Sequence, residues 1–175
     1  MPLKIHDVIV TGLNRRASRG LLTRGTARYP VALGRSGRRA SKREGDGATP
    51  IGAWRAVGVL YRADRVARPH SVLPIARITP VSGWCDAPAD RNYNRPVRLP
   101  YPASAEALWR DDHLYDVLVI LDHNRRPRVR ELGSAIFMHC ASDGMQPTAG
   151  CIALARRQLV AMLAWLRTGQ RIVIR

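Results

Sequence analysis

SAIFMHCASDGMQPTAGCIAL, residues 134–154, is the stretch on which the fold and the chemistry turn. Ser134–His139 is a short, largely apolar run of strand length that ends on a histidine. A polar loop holding Asp143, Gly144 and Pro147 follows, and Thr148-Ala149-Gly150-Cys151 leads into a second apolar run, Cys151–Leu154. Two adjacent strands joined by such a loop bring His139 and Cys151 within hydrogen-bond reach. A thiol is a poor nucleophile near its free pKa of about 8.5 and needs a basic or cationic neighbour, a role histidine fills best near neutrality. Gly150 before the cysteine allows close approach of a substrate backbone and helps aim the Cys151 amide at a developing oxyanion. The plainer reading is a buried, inert thiol beside a strand-end histidine, and spacing alone does not decide between them.

Outward from this stretch, strand signals dominate. Tyr115–Asp122 (YDVLVILD) is an apolar run expected to be buried on both faces. Lys4–Val10, Leu21–Leu33, Trp54–Tyr61 and Arg171–Arg175 read as further strands. Gly34–Pro50 is a long, basic, Gly-rich loop, and Pro69–Pro102 holds seven prolines and is expected to wander in extended form. Ala155–Thr168 carries Leu159, Met162, Leu163 and Leu166 at helical spacing, with Gly169 at its end and Arg167 in its last turn. A short helix is expected at Ala103–Trp109, with Ser104 as its cap. The expectation is a single mostly-β domain spanning residues 1–175, with one C-terminal helix and one short helix.

Two motifs in order carry a resemblance. His139 followed by Thr148-Ala149-Gly150-Cys151, and Glu44-Gly-Asp-Gly-Ala-Thr-Pro-Ile-Gly52 ahead of Trp54, resemble the signatures of the L,D-transpeptidase (YkuD-type) catalytic domain. The resemblance covers most of Leu33 to Leu154 and implies a β-sandwich-like fold with the site in a cleft over the sheet. It implies that Cys151 attacks the meso-diaminopimelate carbonyl at its bond to a terminal D-alanine in a peptidoglycan stem peptide. The resemblance implies that His139 takes the thiol proton first and gives general acid or base help later, and that the amides of Gly150 and Cys151 meet the oxyanion. Most members have His where this chain has Ala149, and many have Arg or Asn where it has Ala153. Trp84-Cys-Asp86, Asn92-Tyr-Asn94 and Tyr115-Asp116 resemble a compact subgroup. Trp84, Asn92, Tyr93 and Thr148 are therefore expected at the cleft, with Arg39 or Lys42 meeting a substrate carboxylate. Asp143 is a candidate to orient His139.

The net charge is +16, with 27 of the 29 basic residues being Arg and only Lys4 and Lys42 being Lys. Such a charge attracts nucleic acid, but no aromatic residues alternate with the basic ones to form a stacking platform, so no nucleic-acid partner is expected. An anionic glycopeptide would use the same charge, either as an enzyme's substrate or as the ligand of a non-catalytic binding module. Zinc would recruit His139, Cys140, Cys151 and His123, yet successive strand residues face opposite ways, so no metal or cofactor is expected. Three cysteines, Cys85, Cys140 and Cys151, fit reduced thiols better than a disulfide framework. No membrane span is apparent, and the first twelve residues do not read as a secretory signal. That points to the cytoplasm, where an L,D-carboxypeptidase would trim recycled tetrapeptides, or to the periplasm if a natural precursor carries a leader.

Overall fold

Short β-branched and apolar segments separated by Gly, Pro and polar turns leave many backbone donors and acceptors that only sheet pairing satisfies. The computed structural model describes residues 7–175, so the start of the expected strand Lys4–Val10 lies outside the described residues. Fourteen strands and one helix are formed among them. The strands are β1 Val8–Gly12, β2 Arg19–Arg24, β3 Ala27–Ala32, β4 Arg38–Arg39, β5 Thr49–Pro50, β6 Gly52–Tyr61, β7 Ile75–Arg77, β8 Ser82–Cys85, β9 Arg95–Arg98, β10 Ala105–Ala107, β11 Val117–Leu121, β12 Phe137–Cys140, β13 Ile152–Leu154 and β14 Arg171–Ile174. The helix, α1, is Arg156–Leu163.

Nine strands make one sheet in the order β11-β12-β13-β3-β2-β1-β14-β6-β7, and β11 also pairs with β6, so the sheet closes on itself. Closure pairs the β11 edge that an open sheet would expose and leaves the short β7, which pairs only with β6, as an edge strand. A second sheet, β10-β8-β9, covers part of the outside.

β11 is buried at every position, as its unbroken apolar run predicts. Its alternate residues feed two cores. Val117, Val119 and Leu121 join the larger cluster with Leu154, Leu159 and Met162, while Leu118 and Ile120 join a smaller one with Trp84, Leu108, Phe137 and Cys151. The same alternation on β12 sends Met138 and Cys140 into the larger core and leaves Phe137 and His139 on the other side. α1 is tied to β11 through Arg156, which donates to the fully buried Asp116 at 2.9 Å.

Two sequence expectations are corrected. Ala103–Trp109 forms no helix: Ala105, Glu106 and Ala107 pair antiparallel with Cys85, Trp84 and Gly83 as β10. Strand pairing satisfies those backbone groups where an isolated helix this short would not hold. The C-terminal helix ends at Leu163 rather than Thr168. Leu166 still reaches the core, but from a turn, and Trp165 lies under the Arg24 guanidinium at 4.2 Å.

Candidate active site

The loop before β13 is folded around Thr148. Its backbone bridges Gly34, its N–H reaches Leu33 O at 2.9 Å, and its hydroxyl donates to Cys151 O at 2.7 Å. The Gly150 N–H donates back to Thr148 Oγ1 at 3.1 Å. Gly150 has φ +141°, and a Cβ there would stand 2.9 Å from Ala48 O, so both the backbone angle and the packing call for glycine. The 44–52 motif supplies the opposing surface. Asp46 accepts from the Arg43 and Ala48 amides and from Lys42 Nζ, and Thr49 Oγ1 accepts the Gly34 N–H at 2.8 Å and donates to Cys151 O at 3.3 Å. The two motifs, about a hundred residues apart, thus clamp one turn of chain in front of Cys151.

Cys151 and His139 both open onto a cavity of about 620 Å³. His139 is 5% exposed, and its Nδ1 lies 2.8 Å from Cys140 O. A carbonyl oxygen can only accept, so Nδ1 carries the proton and Nε2 keeps its lone pair. The ring meets the Tyr115 ring edge-on, with centroids 5.3 Å apart. The expected orienting residue, Asp143, is exposed on the loop; the Cys140 carbonyl does that work instead.

The Cys151 thiol is not hydrogen-bonded to His139. It donates to Ala135 O at 3.2 Å and accepts the Phe137 N–H at 3.4 Å. Burial, then the charge of Glu106, pushes the thiol up to about 12, while the Phe137 amide and Lys42 pull the other way. Burial also brings His139 down to about 4. The resting pair is therefore neutral thiol and neutral imidazole. Ala135 itself has φ +50° and its N–H is held by Asn94 Oδ1 at 3.1 Å. Asn94, 2% exposed, also accepts from Trp84 Nε1 at 3.0 Å and donates to His123 O and Asn124 O at 3.0 and 2.8 Å.

The depressed His139 has a measurable consequence. Below pH 6.5 the unfolded chain takes up a proton that the folded chain refuses until about pH 4, so stability falls as pH drops through that window. A shift of this size corresponds to about 3 kcal/mol. His123, also lowered by burial, adds in the same direction. Urea unfolding at pH 7 and pH 4 should show the wild type losing about 3 kcal/mol more than His139→Gln; equal losses would contradict a buried neutral imidazole.

The other expected site residues divide. Lys42, 5% exposed, lines the cavity, but its Nζ is engaged by Asp46 Oδ1 and Arg43 O, both at 2.6 Å. Thr148 and Gly150 line it too. Gly150 does not offer its amide to an oxyanion, because Thr148 already accepts it, whereas the Cys151 N–H has no acceptor among the described residues. Tyr93 stands behind the cavity and donates to Glu44 Oε2 at 2.5 Å, placing that lining carboxylate. Trp84 does not line the cleft: it is 1% exposed and packs edge-on against Phe137, because Asn94 satisfies its indole N–H inside the core. Asn92 faces Tyr101 and Asp90 instead. Arg39 is exposed in a separate concavity with Arg15, Arg16 and Arg38. The sequence alone does not mark Ala135, Asn94, Asp86, Glu106 or Arg110 as site residues. Asn94 and Asp86 lie inside the quoted motifs, and Ala135 acts through its backbone, which leaves no side-chain signal.

A ring-closed β fold and a cavity joining both motifs set the geometry against which known families can be compared. The profile of the L,D-transpeptidase catalytic domain, YkuD, matches residues 8–174. The chain belongs to this family. No curated protein and no solved structure gives a match. L,D-transpeptidase domains are typically enzymes and imply peptidoglycan substrates. No helix among the described residues of this L,D-transpeptidase domain is long and apolar enough to cross a membrane.

Proposed function

We propose that this L,D-transpeptidase-family protein uses Cys151 as the nucleophile on a tetrapeptide stem, attacking the meso-diaminopimelate carbonyl and expelling D-alanine. The observation that carries the reading is the shared cavity, lined by both Cys151 and a His139 whose Nδ1 holds the proton and whose Nε2 keeps its lone pair. The thiol proton passes from Sγ to His139 Nε2 as sulfur bonds the carbonyl carbon. For that transfer the thiol turns from Ala135 O toward the ring. The Cys151 N–H, which has no acceptor among the described residues, meets the oxyanion. Collapse of the tetrahedral species breaks the C–N bond, and His139 returns the proton to the departing D-alanine amine. Water resolves the thioester to a tripeptide, or the amine of a second stem resolves it to a crosslink.

Incubation with a disaccharide-tetrapeptide, with and without an acceptor stem, tests the proposal through product masses. Tripeptide identifies a carboxypeptidase, dimer a transpeptidase, and unchanged substrate in both arms would refute the reading.

A neutral resting thiol makes a second expectation. Only thiolate reacts with iodoacetamide, so modification of Cys151 should climb about tenfold per pH unit from pH 7 to 10 without levelling off. Peptide-mapped mass spectrometry follows it separately from Cys85 and Cys140. A plateau beginning below pH 7 would instead mean a resting thiolate–imidazolium pair.

A further inference from the structure

The cavity wall formed by β8 and β10 carries two carboxylates, Asp86 and Glu106. The chain has 29 Lys and Arg against 13 Asp and Glu, so a carboxylate facing a cavity without a cation is unexpected. Asp46, Asp64, Asp112 and Asp116 each have a basic partner within 4 Å. Asp86 and Glu106 have none among the described residues. Glu106 takes a single side-chain hydrogen bond, from the Tyr115 hydroxyl at 2.5 Å. Asp86 Oδ1 is shielded from solvent and takes none. Arg110, which also lines this wall, is committed to Asp112. Burial raises the Glu106 carboxyl above its ordinary value and outweighs the Tyr115 hydrogen bond and the more distant charge of Arg110, which lower it; the charge of Asp86 adds to the rise.

Partly desolvated anions without a counter-ion are costly, and the cost is removed when a cation enters beside them. We propose that Glu106 and Asp86 form the receptor for an ammonium group on the substrate residue whose carbonyl Cys151 attacks. The inference rests on the acyl-transfer reading above and assigns to these two residues the selection of a stem with a free side-chain amine. Its second consequence concerns rate. Glu106 is the largest charge acting on the Cys151 thiol, opposing ionisation. An ammonium docked on Glu106 cancels that opposition, so the group that identifies the substrate also readies the nucleophile. A donor without the amine loses kcat as well as affinity.

The test compares two tetrapeptides, one with the free side-chain amine of its diamino acid and one with that amine acetylated. Wild type should favour the free amine by about 10- to 100-fold in kcat/KM, the range of a charge-assisted hydrogen bond. Glu106→Gln retains an acceptor for the Tyr115 hydroxyl and should bring the ratio to within about threefold of unity; Asp86→Asn should reduce it less. Thermal melts establish that both variants fold. Parity in wild type, or an unchanged ratio in both variants, would overturn the receptor. Calorimetric binding of the same peptides to Cys151→Ala reads the preference without chemistry. If neither peptide is turned over, the acyl-transfer reading fails, and the calorimetric ratio alone decides: a clear preference supports the receptor, parity ends it.

Discussion

Cys151→Ala should lower D-alanine release from a tetrapeptide by on the order of 10⁴-fold or more, to the level of the solution reaction. The size of the effect follows from the absence of a substitute. Cys85 and Cys140 are buried, and the Cys140 side chain lies in the larger core on the far side of β12. Fold loss is not the cause, since the substitution removes one sulfur, 8% exposed, and two sulfur hydrogen bonds. The melting temperature should move by only a few degrees. Cys151→Ser, which keeps the shape, should be nearly as inactive, because a hydroxyl is far harder to ionise beside an imidazole of low basicity. Release by Cys151→Ala at the wild-type rate would remove the nucleophile from the account.

Asn94→Ala is the second large effect, and it acts on stability first. Four hydrogen bonds converge on this buried amide, from Trp84 and Ala135 and to His123 and Asn124. Removing it strands several groups, each costing about 1–3 kcal/mol when left unpaired. Asn94 also sits at φ +55°, where alanine is strained by about 1 kcal/mol or more. A total of about 4 kcal/mol is expected in urea unfolding. Asn94→Gly should recover the backbone part alone. Asn92→Ala, two residues away and half-buried, should cost about 1 kcal/mol. The release of Ala135, whose carbonyl holds the Cys151 thiol, should lower activity beyond the loss of folded protein. Equal effects for Asn92→Ala and Asn94→Ala would contradict the convergence.

The features read correctly in the sequence are those whose cause is local. The unbroken run of β11 predicted burial on both faces, and the alternation of β12 separated His139 from Cys140. The mistaken features depend on distant partners. Ala103–Trp109 has helical composition, but β8 lies alongside it and pairs with its backbone. Trp84 suggested a cleft aromatic, yet a side chain ten residues on satisfies its indole within the core. Arg39 and Lys42 look alike in a basic loop, and only the folded course of 34–50 puts Lys42 on the cavity and Arg39 off it. Asp86 and Glu106 gain meaning only because β8 and β10 pair and because, among the described residues, neither has a salt-bridge partner.

The central claim is that the Cys151 sulfur carries the acyl group. Wild-type protein mixed with tetrapeptide and quenched in acid within one turnover should show, by intact mass, an added tripeptide acyl group that maps to the Cys151 peptide and is absent in Cys151→Ala. D-alanine released with no such adduct, or with the acyl group on Cys85 or Cys140, would contradict the account.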